Sequence, residues 1–335
     1  MDSLTQNDGM TEPLISVCIP VYNGETMITR ALDSVLEARK RVPGNVEVCV
    51  VDDVSKDGSM ARLMSYSGVP GMRISRNEKN LGLIGNWQYT LSLGRGAIVT
   101  LLHMDDWYAP EALEIVTEKF SSNARLALLA LGQTFHDEKR NSIPYTQRWL
   151  GTYTGREYLD FQLQLKENPA PSSVFFRRSL VEPLHTYYDP AYRWCPELDL
   201  YIRLALANLD GDFCHLDKFL VHRGSHSDQF SMRYPALVSL DICTLISRYR
   251  TVAASPETRE RWRRAARQKI ADGIAAAMFK HDFAHAADSV SRTPFVRWAA
   301  EDPMGALWIL GNLTWRGLRL RVRSRRQNVT ASTEA

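Results

Sequence analysis

The chain has 335 residues, of which 44% are hydrophobic, and its 41 Lys and Arg against 38 Asp and Glu give a net charge of +3. This length exceeds one typical domain, and the hydrophobic content is sufficient for a large core with an appended segment. Because the charge is near zero outside the C-terminal stretch, the composition argues against nucleic acid as a partner. The five cysteines, at positions 18, 49, 195, 214 and 243, show no paired metal-binding spacing, which indicates a reducing compartment and argues against a structural zinc site.

The N-terminus begins with a polar, acidic stretch. Residues 1–13 contain no apolar segment of the kind found in secretion signals, so we expect a disordered N-terminus and a cytoplasmic protein. An apolar run over residues 14–21 then predicts a buried strand. Asn23 and Gly24 predict a turn after it, and the pattern over residues 27–36 predicts a helix.

Two later strand-like runs each end in a pair of carboxylates. One run ends in Asp52 and Asp53, and the other ends in Asp105 and Asp106. Adjacent carboxylates beside apolar residues repel each other unless a cation or hydrogen-bond donors lie between them. The ends of strands in an open parallel sheet are common ligand sites, and Mg²⁺ is often bound by one or two carboxylates together with substrate phosphates. The alternative is that each pair only caps a following helix or turn.

The predicted elements follow one another in a regular order. Strand, helix, strand, helix and strand alternate with short loops through the first third of the chain. This order predicts an α/β fold with a mostly parallel sheet flanked by helices.

The motifs in this region, in this order and spacing, resemble those of family 2 nucleotide-sugar glycosyltransferases. They are the segments 20–23 and 51–59, Asn80 with Gly82 and Asn86, and the segment 103–108. The resemblance covers about residues 13–230 and implies the Rossmann-like fold called GT-A. It implies a glycosyltransferase domain over residues 14–232. The Ala- and Arg-rich sequence after this domain predicts a helical C-terminal region over residues 233–326, which is followed by an expected disordered tail over residues 327–335.

The resemblance also implies roles for individual side chains in the donor site. Pro20, Tyr22 and Asp53 would hold the nucleobase and ribose, and Asp105 would approach the ribose or diphosphate. Asp106 would bind the metal, Mn²⁺ or Mg²⁺. The family usually has Asp-x-Asp at this place, whereas this chain has His103 where the first carboxylate is expected. The other donor-binding residues that the match implies are Asn23, Asn80 and Asn86.

The catalytic base is expected near the start of a later helix. Pro196 predicts a first helical turn, and two acids follow it. In the family the base is an acid six residues before the Arg of an Arg-Leu pair, which corresponds here to Glu197 before Arg203. Family members more often carry Asp at this position. Asp199 is the alternative base, and a third interpretation is that both acids only interact with the helix dipole.

Two further segments match the acceptor and diphosphate sides of the family. Residues 168–178 predict a loop that leads into a strand, and loops of this kind commonly select the acceptor. In the closing segment 219–229, Arg223 is expected to contact the diphosphate, because fixed positive groups stabilise a departing diphosphate. His226 is a candidate for the same phosphate contact and is also predicted as a metal ligand.

The C-terminal region differs in composition, being rich in Ala and Arg, and the family motifs end before it. The charged run 257–269 is expected to be the solvated face of a helix. An apolar run that begins at Met304 is followed by six arginines, the last of which is Arg326. This segment is too short to span a bilayer. Two interpretations stay open: an amphipathic helix on the anionic inner face of the plasma membrane, or a terminal helix packed on the protein with a basic tail.

The function expected from the resemblance is inverting transfer of a sugar from a nucleotide-diphosphate donor to a hydroxyl of a glycan or lipid-linked acceptor. The biological setting would be cell-surface polysaccharide biosynthesis, such as that of O-antigen. A nucleotidyltransferase would need a Gly-rich basic loop after the first strand, and residues 21–26 lack one. A catalytically inactive nucleotide-sugar-binding or scaffold protein on the same fold remains the alternative.

Overall fold

A computed structural model of the protein describes residues 14–137, 142–145, 149–164, 168–192, 195–225, 241–242, 244–245, 248–249, 251–252 and 256–279. The predictions made for residues 1–13, His226, residues 304–326 and residues 327–335 lie outside the described residues.

The N-terminal half alternates strands with helices, as the sequence predicts. All seven residues of β1 and of β2 are buried, which is typical of strands covered on both faces. The helix predicted over residues 27–36 is present, with slightly shifted ends. The elements are β1 (Ile15–Val21), α1 (Ile28–Ala38), β2 (Val46–Asp52), α2 (Ser59–Met64), β3 (Met72–Arg76), α3 (Gly82–Ser92) and β4 (Ile98–Leu101), with a 3₁₀ turn at Arg39–Arg41.

Strands predominate in the second half of the sheet-forming region. The loop-to-strand transition predicted over residues 168–178 is confirmed by a 3₁₀ turn at Pro171–Ser173 and the strand that follows it. Two more 3₁₀ turns lie at Arg178–Leu180 and Glu182–Leu184. The other elements are β5 (Asp106–Tyr108), α4 (Ala112–Ser122), β6 (Leu126–Asp137), β7 (Ile143–Tyr145), β8 (Gly151–Thr154), α5 (Gly155–Leu163), β9 (Val174–Arg177), α6 (Pro196–Ala207), β10 (Asp212–Ser225) and α7 (Pro256–Phe279).

The ten strands form one mixed sheet in the order β3-β2-β1-β4-β9-β6-β10-β5, with β7 beside β6 and β8 beside β10. Strands β3, β2, β1 and β4 pair in parallel, as do β6 and β10. Strand β9 is antiparallel to both β4 and β6, and β5 is antiparallel to β10. The predicted α/β fold class is therefore confirmed, and the four consecutive parallel strands β3, β2, β1 and β4 form one half of the sheet.

Helix α1 covers the parallel strands with one apolar face. Ile28, Leu32 and Val35 recur at the spacing of helical turns and are fully buried in the same core as Val17 and Val50. Burial of one such aliphatic side chain contributes about 1.5–3 kcal/mol. This packing fixes the strands whose carboxyl ends carry the polar residues described below.

The chain divides into two compact units. The first comprises residues up to 158 with 169–188 and 203–226, and it contains the whole sheet. The second comprises residues 159–168, 189–202 and those from 227 onward. The predicted domain boundary at residue 232 stays a prediction. Within the described part of the chain, no helix combines the length and apolar character needed to cross a bilayer.

Helix α7 belongs to the second unit and carries the predicted charged run. Arg261, Arg263 and Arg264 are exposed, whereas Trp262 is 2% exposed. The expectation that this run forms a solvated face is confirmed for these three arginines.

Candidate active site

The predicted polar residues meet at one edge of the parallel half of the sheet. Val21, Asp52 and Arg76 are the last residues of β1, β2 and β3, and β2 pairs in parallel with both neighbours. Their carboxyl ends therefore lie side by side, and the loops that follow them form the rim of the site.

The carboxylate of Asp53 organises the loop that follows β3. Asp53 is buried, and its Oδ1 accepts hydrogen bonds from Asn77 Nδ2 at 2.7 Å and from the Leu81 N–H at 2.8 Å. Its Oδ2 accepts from the Gly82 N–H at 3.0 Å, where the backbone has φ of +74°. A carboxylate in this position holds residues 77–82 against the end of β2. Its predicted contact with the nucleobase stays a prediction.

The loops after β1 and β2 are also bound to each other. The Asn23 N–H donates to Ser55 Oγ at 2.9 Å, and Asn23 Oδ1 accepts from the Lys56 N–H at 2.9 Å. Asn23 (φ of +52°) and Val54 (φ of +61°) both have left-handed backbone. This conformation is common for Asn but strained for a β-branched residue such as Val. The strain at Val54 lies directly after Asp53, at the centre of the site.

Among the other predicted donor-binding residues, only Tyr22 presents an exposed large side chain, with 40% of its surface accessible. Asn86 is buried, donates to the carbonyls of Val21 and Val51 at 3.4 Å each, and accepts from Asn77. Asn80 donates to the Asp53 carbonyl at 2.9 Å. These asparagines thus brace the loops.

Pro20 is the sixth residue of β1. It is buried and lies opposite Val51 of β2. Its predicted contact with the nucleobase stays a prediction. Tyr22, two residues further on, is the exposed residue of this segment.

Asp52 and Arg76 form an ion pair that the sequence reasoning missed. Asp52 is fully buried, and its Oδ2 lies 3.2 Å from Arg76 Nε and accepts from the Ser55 N–H at 3.2 Å. Its other oxygen, Oδ1, is buried without a hydrogen-bond partner among the described residues. An unsatisfied buried carboxylate oxygen is costly, which marks it as a position for a donor from a ligand or from water.

The second acidic pair lies where β4 leads into β5, and one side-chain hydroxyl and one backbone N–H fix the carboxylate of Asp106. Asp106 is buried, its Oδ2 accepts from Ser172 Oγ at 2.6 Å, and its Oδ1 accepts from the Gly224 N–H at 3.2 Å. Ser172 Oγ also accepts from the His103 N–H at 3.1 Å. Ser172 and Gly224 were not predicted, because nothing in their local sequence points to residue 106.

His103, Asp105 and Asp106 form a cluster that fits a divalent cation. Their ligand atoms all lie within 4.8 Å of one another. Burial, reinforced by the neighbouring Asp105 carboxylate, raises the pKa of Asp106 to about 7, and burial lowers the pKa of His103 to about 4. The cluster thus brings together a neutral imidazole and a carboxylate pair whose mutual repulsion a cation would relieve. His103 is a candidate ligand that the sequence reasoning treated only as a missing carboxylate.

Arg223, the predicted diphosphate contact, lies beside this cluster. It pairs with Asp106 across β10 and β5, and its Nε lies 3.8 Å from Asp106 Oδ2. The guanidinium carbon is 4.9 Å from the centroid of Phe135. Arg223 therefore supplies positive charge at the edge of the cluster, and its contact with a diphosphate stays a prediction.

The next residue, Gly224, is needed for close packing. A Cβ at position 224 would lie 2.5 Å from the Asp105 carbonyl oxygen, so no side chain fits there. This close approach is what allows the Gly224 N–H to reach Asp106.

Trp87 of α3 packs against the imidazole of His103. The two ring centroids are 4.6 Å apart with an interplanar angle of 29°, and Tyr188 adds a tilted contact to Trp87 at 5.8 Å. An offset stack of this kind is worth about 0.5–1.5 kcal/mol beyond the buried area. No local sequence pattern predicts this pair, because it depends on the tertiary packing of α3 against the 103–106 turn.

The two candidate bases lie in the second unit, where they differ sharply in environment. Helix α6 begins at Pro196, as predicted. Glu197 is half-buried, and its Oε1 accepts from Asn168 Nδ2 at 2.8 Å. Asp199 is fully buried, and its Oδ1 accepts from Arg248 at 2.8 Å and from the Tyr249 hydroxyl at 2.7 Å. These bonds disfavour Asp199 as a base and leave Glu197 as the candidate.

Comparison with known proteins decides the family. A family model described as glycosyl transferase family 2 matches residues 16–184, which is half of the chain. The chain belongs to this family. The match includes the rim residues and the 103–106 turn, so both parts of the site lie within the family domain.

Family 2 relatives are found among several bacteria. An uncharacterised protein of Mycobacterium tuberculosis (strain CDC 1551 / Oshkosh) is 32% identical over 211 residues, which cover 58% of this chain and 63% of that protein. Chondroitin synthase of Escherichia coli is 27% identical, over 66% of this chain and 30% of the synthase. Abequosyltransferase of Salmonella typhimurium (strain LT2) is 25% identical, over 66% of this chain and 69% of the transferase. The chain thus spans less than two thirds of the length of the first two.

Solved structures confirm the GT-A fold. S. aureus TarS 1–349 in complex with UDP-GlcNAc has a TM-score of 0.56 at 16% identity, covering 86% of this chain and 92% of TarS 1–349. A mannosyltransferase from Pyrobaculum calidifontis in complex with GDP-Man and Mn²⁺ has a TM-score of 0.52 at 15% identity, covering 92% of this chain and 88% of the mannosyltransferase.

Proposed function

We propose that the protein transfers a sugar, with inversion, from a nucleoside-diphosphate sugar to a hydroxyl group of a glycan or lipid-linked acceptor in polysaccharide biosynthesis. The observation that carries this proposal is the position of the Asp53-centred rim and of the cluster of His103, Asp105 and Asp106, which follow the carboxyl ends of β2 and β4, the two parallel neighbours of β1 in a family 2 sheet. The names of the chondroitin synthase and abequosyltransferase relatives support polysaccharide assembly as the setting.

The donor side of the proposal assigns the exposed Tyr22 ring to the nucleobase. Asp53 holds the rim loop and receives the base or ribose at its edge. The oxygens of Asp105 and Asp106 would hold a divalent cation, Mn²⁺ or Mg²⁺, which neutralises charge on the leaving diphosphate when bound. Arg223 adds a fixed positive charge on the same side.

Glu197 is the proposed base. As the acceptor oxygen bonds to the anomeric carbon, the bond from that carbon to the diphosphate oxygen breaks, and the hydroxyl proton passes to the Glu197 carboxylate. Attack opposite the leaving group inverts the anomeric configuration. Glu197 accepts a hydrogen bond from Asn168 and is half-buried, and partial exposure suits a group that exchanges protons.

Membrane association is proposed as a property of the C-terminal basic segment, residues 304–326, on the basis of its sequence. Its six arginines after an apolar run suit an anionic lipid surface. Sedimentation with vesicles containing anionic lipid, compared with a variant that ends at residue 303, tests this. Equal sedimentation of both proteins would refute it.

The first experiment on function is calorimetric binding of UDP, GDP, dTDP and CMP, each with and without Mn²⁺. We expect one nucleoside diphosphate to bind in a Mn²⁺-dependent manner. We expect this binding to be lost in the Asp106→Ala variant. Donor turnover is then compared between the wild type and Glu197→Gln, which should bind equally well but turn over at least 100-fold more slowly. Binding without turnover in either protein would instead support a sugar-nucleotide-binding protein, and no binding at all would refute both.

A further inference from the structure

The cluster at the 103–106 turn differs chemically from a set of three carboxylates. We propose that His103 supplies a nitrogen ligand to the cation, so that the site selects first-row transition ions, Co²⁺ more strongly than Mn²⁺, over Mg²⁺. This inference rests on the proposed function, because it concerns the cation that would accompany the donor diphosphate. It adds an ion preference that the two carboxylates alone would not set.

The geometry brings the imidazole to the carboxylates. His103 Nδ1 lies 3.7 Å from Asp106 Oδ2, a separation that two ligands of one cation can have. The other ring nitrogen, Nε2, is buried without a hydrogen-bond partner among the described residues. The His103 side chain is 18% exposed, but a ring nitrogen that is buried without a hydrogen-bond partner is costly unless a ligand satisfies it. A cation bound by the imidazole together with the neighbouring Asp105 and Asp106 would be such a ligand.

Trp87 acts in this proposal as a positioning residue. Its indole stacks on the imidazole at a centroid distance of 4.6 Å, and the His103 backbone N–H is fixed by Ser172 Oγ. Ring and backbone are thus both held before a cation arrives. Such outer contacts orient a metal-binding histidine and typically change metal affinity 10–100-fold when they are removed.

The expected selectivity follows from ligand chemistry. Mg²⁺ prefers oxygen ligands and gives up water reluctantly, whereas imidazole suits later first-row transition ions. A neutral nitrogen in place of a carboxylate also removes one negative charge from the ligand set. The affinity for Mg²⁺ falls more in this exchange than the affinity for Mn²⁺ or Co²⁺, because Mg²⁺ binding depends more on ligand charge and gains less from a nitrogen donor.

The test is electron spin echo spectroscopy of Mn²⁺ bound with UDP and, in parallel, with GDP. Wild-type protein is prepared unlabelled and with ¹⁵N-histidine, so that a directly bound imidazole changes its coupling from ¹⁴N to ¹⁵N without any substitution. We expect the histidine coupling in the wild type and in the exposed-histidine control His185→Asn. It should be absent in His103→Asp and weakened in Trp87→Ala more than in Trp87→Phe.

Competition between Mg²⁺ and Mn²⁺ for the nucleotide complex provides the second readout. The preference for Mn²⁺ should fall about tenfold in His103→Asp relative to the wild type. Nucleotide and Mn²⁺ binding without any histidine coupling would overturn the inference while leaving the proposed function standing. So would a coupling that persists in His103→Asp and disappears in His226→Asn. If neither nucleotide binds with any ion, the proposed function fails together with this inference.

Discussion

The hydroxyl of Ser172 lies 2.6 Å from the carboxylate of Asp106, although the two residues are 66 positions apart in the chain. The same hydroxyl oxygen accepts the His103 N–H, so one side chain closes the turn that carries the candidate metal ligands. A buried carboxylate held in this way has a fixed direction before any ligand arrives, which is the kind of preorganisation that binding sites require.

Ser172→Ala should therefore weaken Mn²⁺-dependent nucleotide binding. The substitution removes the short bond to Asp106 Oδ2 and the acceptor for the His103 N–H, and we expect an affinity loss of about tenfold or more. Calorimetry with the nucleotide that the wild type binds provides the measurement. Ser173→Ala is the matched control, because Ser173 is buried in the same turn but donates only to the Ala170 carbonyl. Equal losses in the two variants would refute a specific role for Ser172.

Asp53→Asn should destabilise the fold and abolish donor binding. The two carboxylate oxygens accept hydrogen bonds from Asn77, Leu81 and Gly82. An amide keeps only one of these acceptor oxygens and places an NH₂ donor where the other was. Because hydrogen bonds to a charged group are worth about 1.5–3 kcal/mol each, we expect the free energy of unfolding to fall by about 3 kcal/mol. Denaturant unfolding followed by circular dichroism measures this. Asp33→Asn, which changes an exposed acid bonded to Tyr66, should cost less than about 1 kcal/mol.

His215 should make the stability of the first unit sensitive to acid. Burial lowers the pKa of His215 from 6.5 to about 4 in the folded protein. The unfolded chain therefore binds more protons between these values, and the free energy of unfolding falls as the pH drops below about 6.5 and levels off below about 4. The full loss is about 3 kcal/mol.

Comparison of unfolding at pH 7.5 and pH 4.5 checks this sign. His215→Phe, which keeps a ring beside Tyr158 and Phe213, should lose about 2–3 kcal/mol less than the wild type between these pH values. The exposed control His185→Asn should follow the wild type. A His215→Phe variant with the same pH dependence as the wild type would contradict the prediction.

The two acids at the start of α6 should separate into a catalytic and a structural residue. Glu197→Gln should lose turnover with little change in stability. Asp199→Asn should weaken the bonds to Arg248 and Tyr249 and lower the free energy of unfolding by about 2–3 kcal/mol, since Arg248 is partly exposed and can regain water. Donor consumption and denaturant unfolding of both variants decide the assignment. If the Asp199→Asn variant were stable but inactive and the Glu197→Gln variant were active, the two roles would be the other way round.

The parallel half of the fold could be predicted from the sequence because its signals are local. Uninterrupted apolar runs mark β1 and β2, and polar turn residues mark their ends, so the edge that carries Asp53 follows from short-range patterns alone. The antiparallel strands on the far side are different. Strand β5 has only three residues, and its pairing with β10 depends on contacts more than 100 positions apart.

The position of the site could be predicted from the sequence, but the roles of its individual residues could not. Asp52 and Asp53 look alike in a motif, yet one pairs with Arg76 while the other holds the rim loop. Asn86 matches a donor-site motif and is used to join β1 and β2. Ser172 and Trp87 contact the candidate metal ligands Asp106 and His103 through tertiary packing, which no local sequence pattern predicts.

The long sequence separation of the partners of Asp106 also sets an order of assembly. During synthesis the 103–106 turn leaves the ribosome before Ser172 and long before Gly224, which follow it by 66 and 118 residues. A nascent chain therefore grows by a further 118 residues after Asp106 before both groups that orient this carboxylate are present. The chain can become competent for its ligand only when β10 has joined the sheet, so fragments that end before residue 212 should fold their apolar strands without acquiring the finished site.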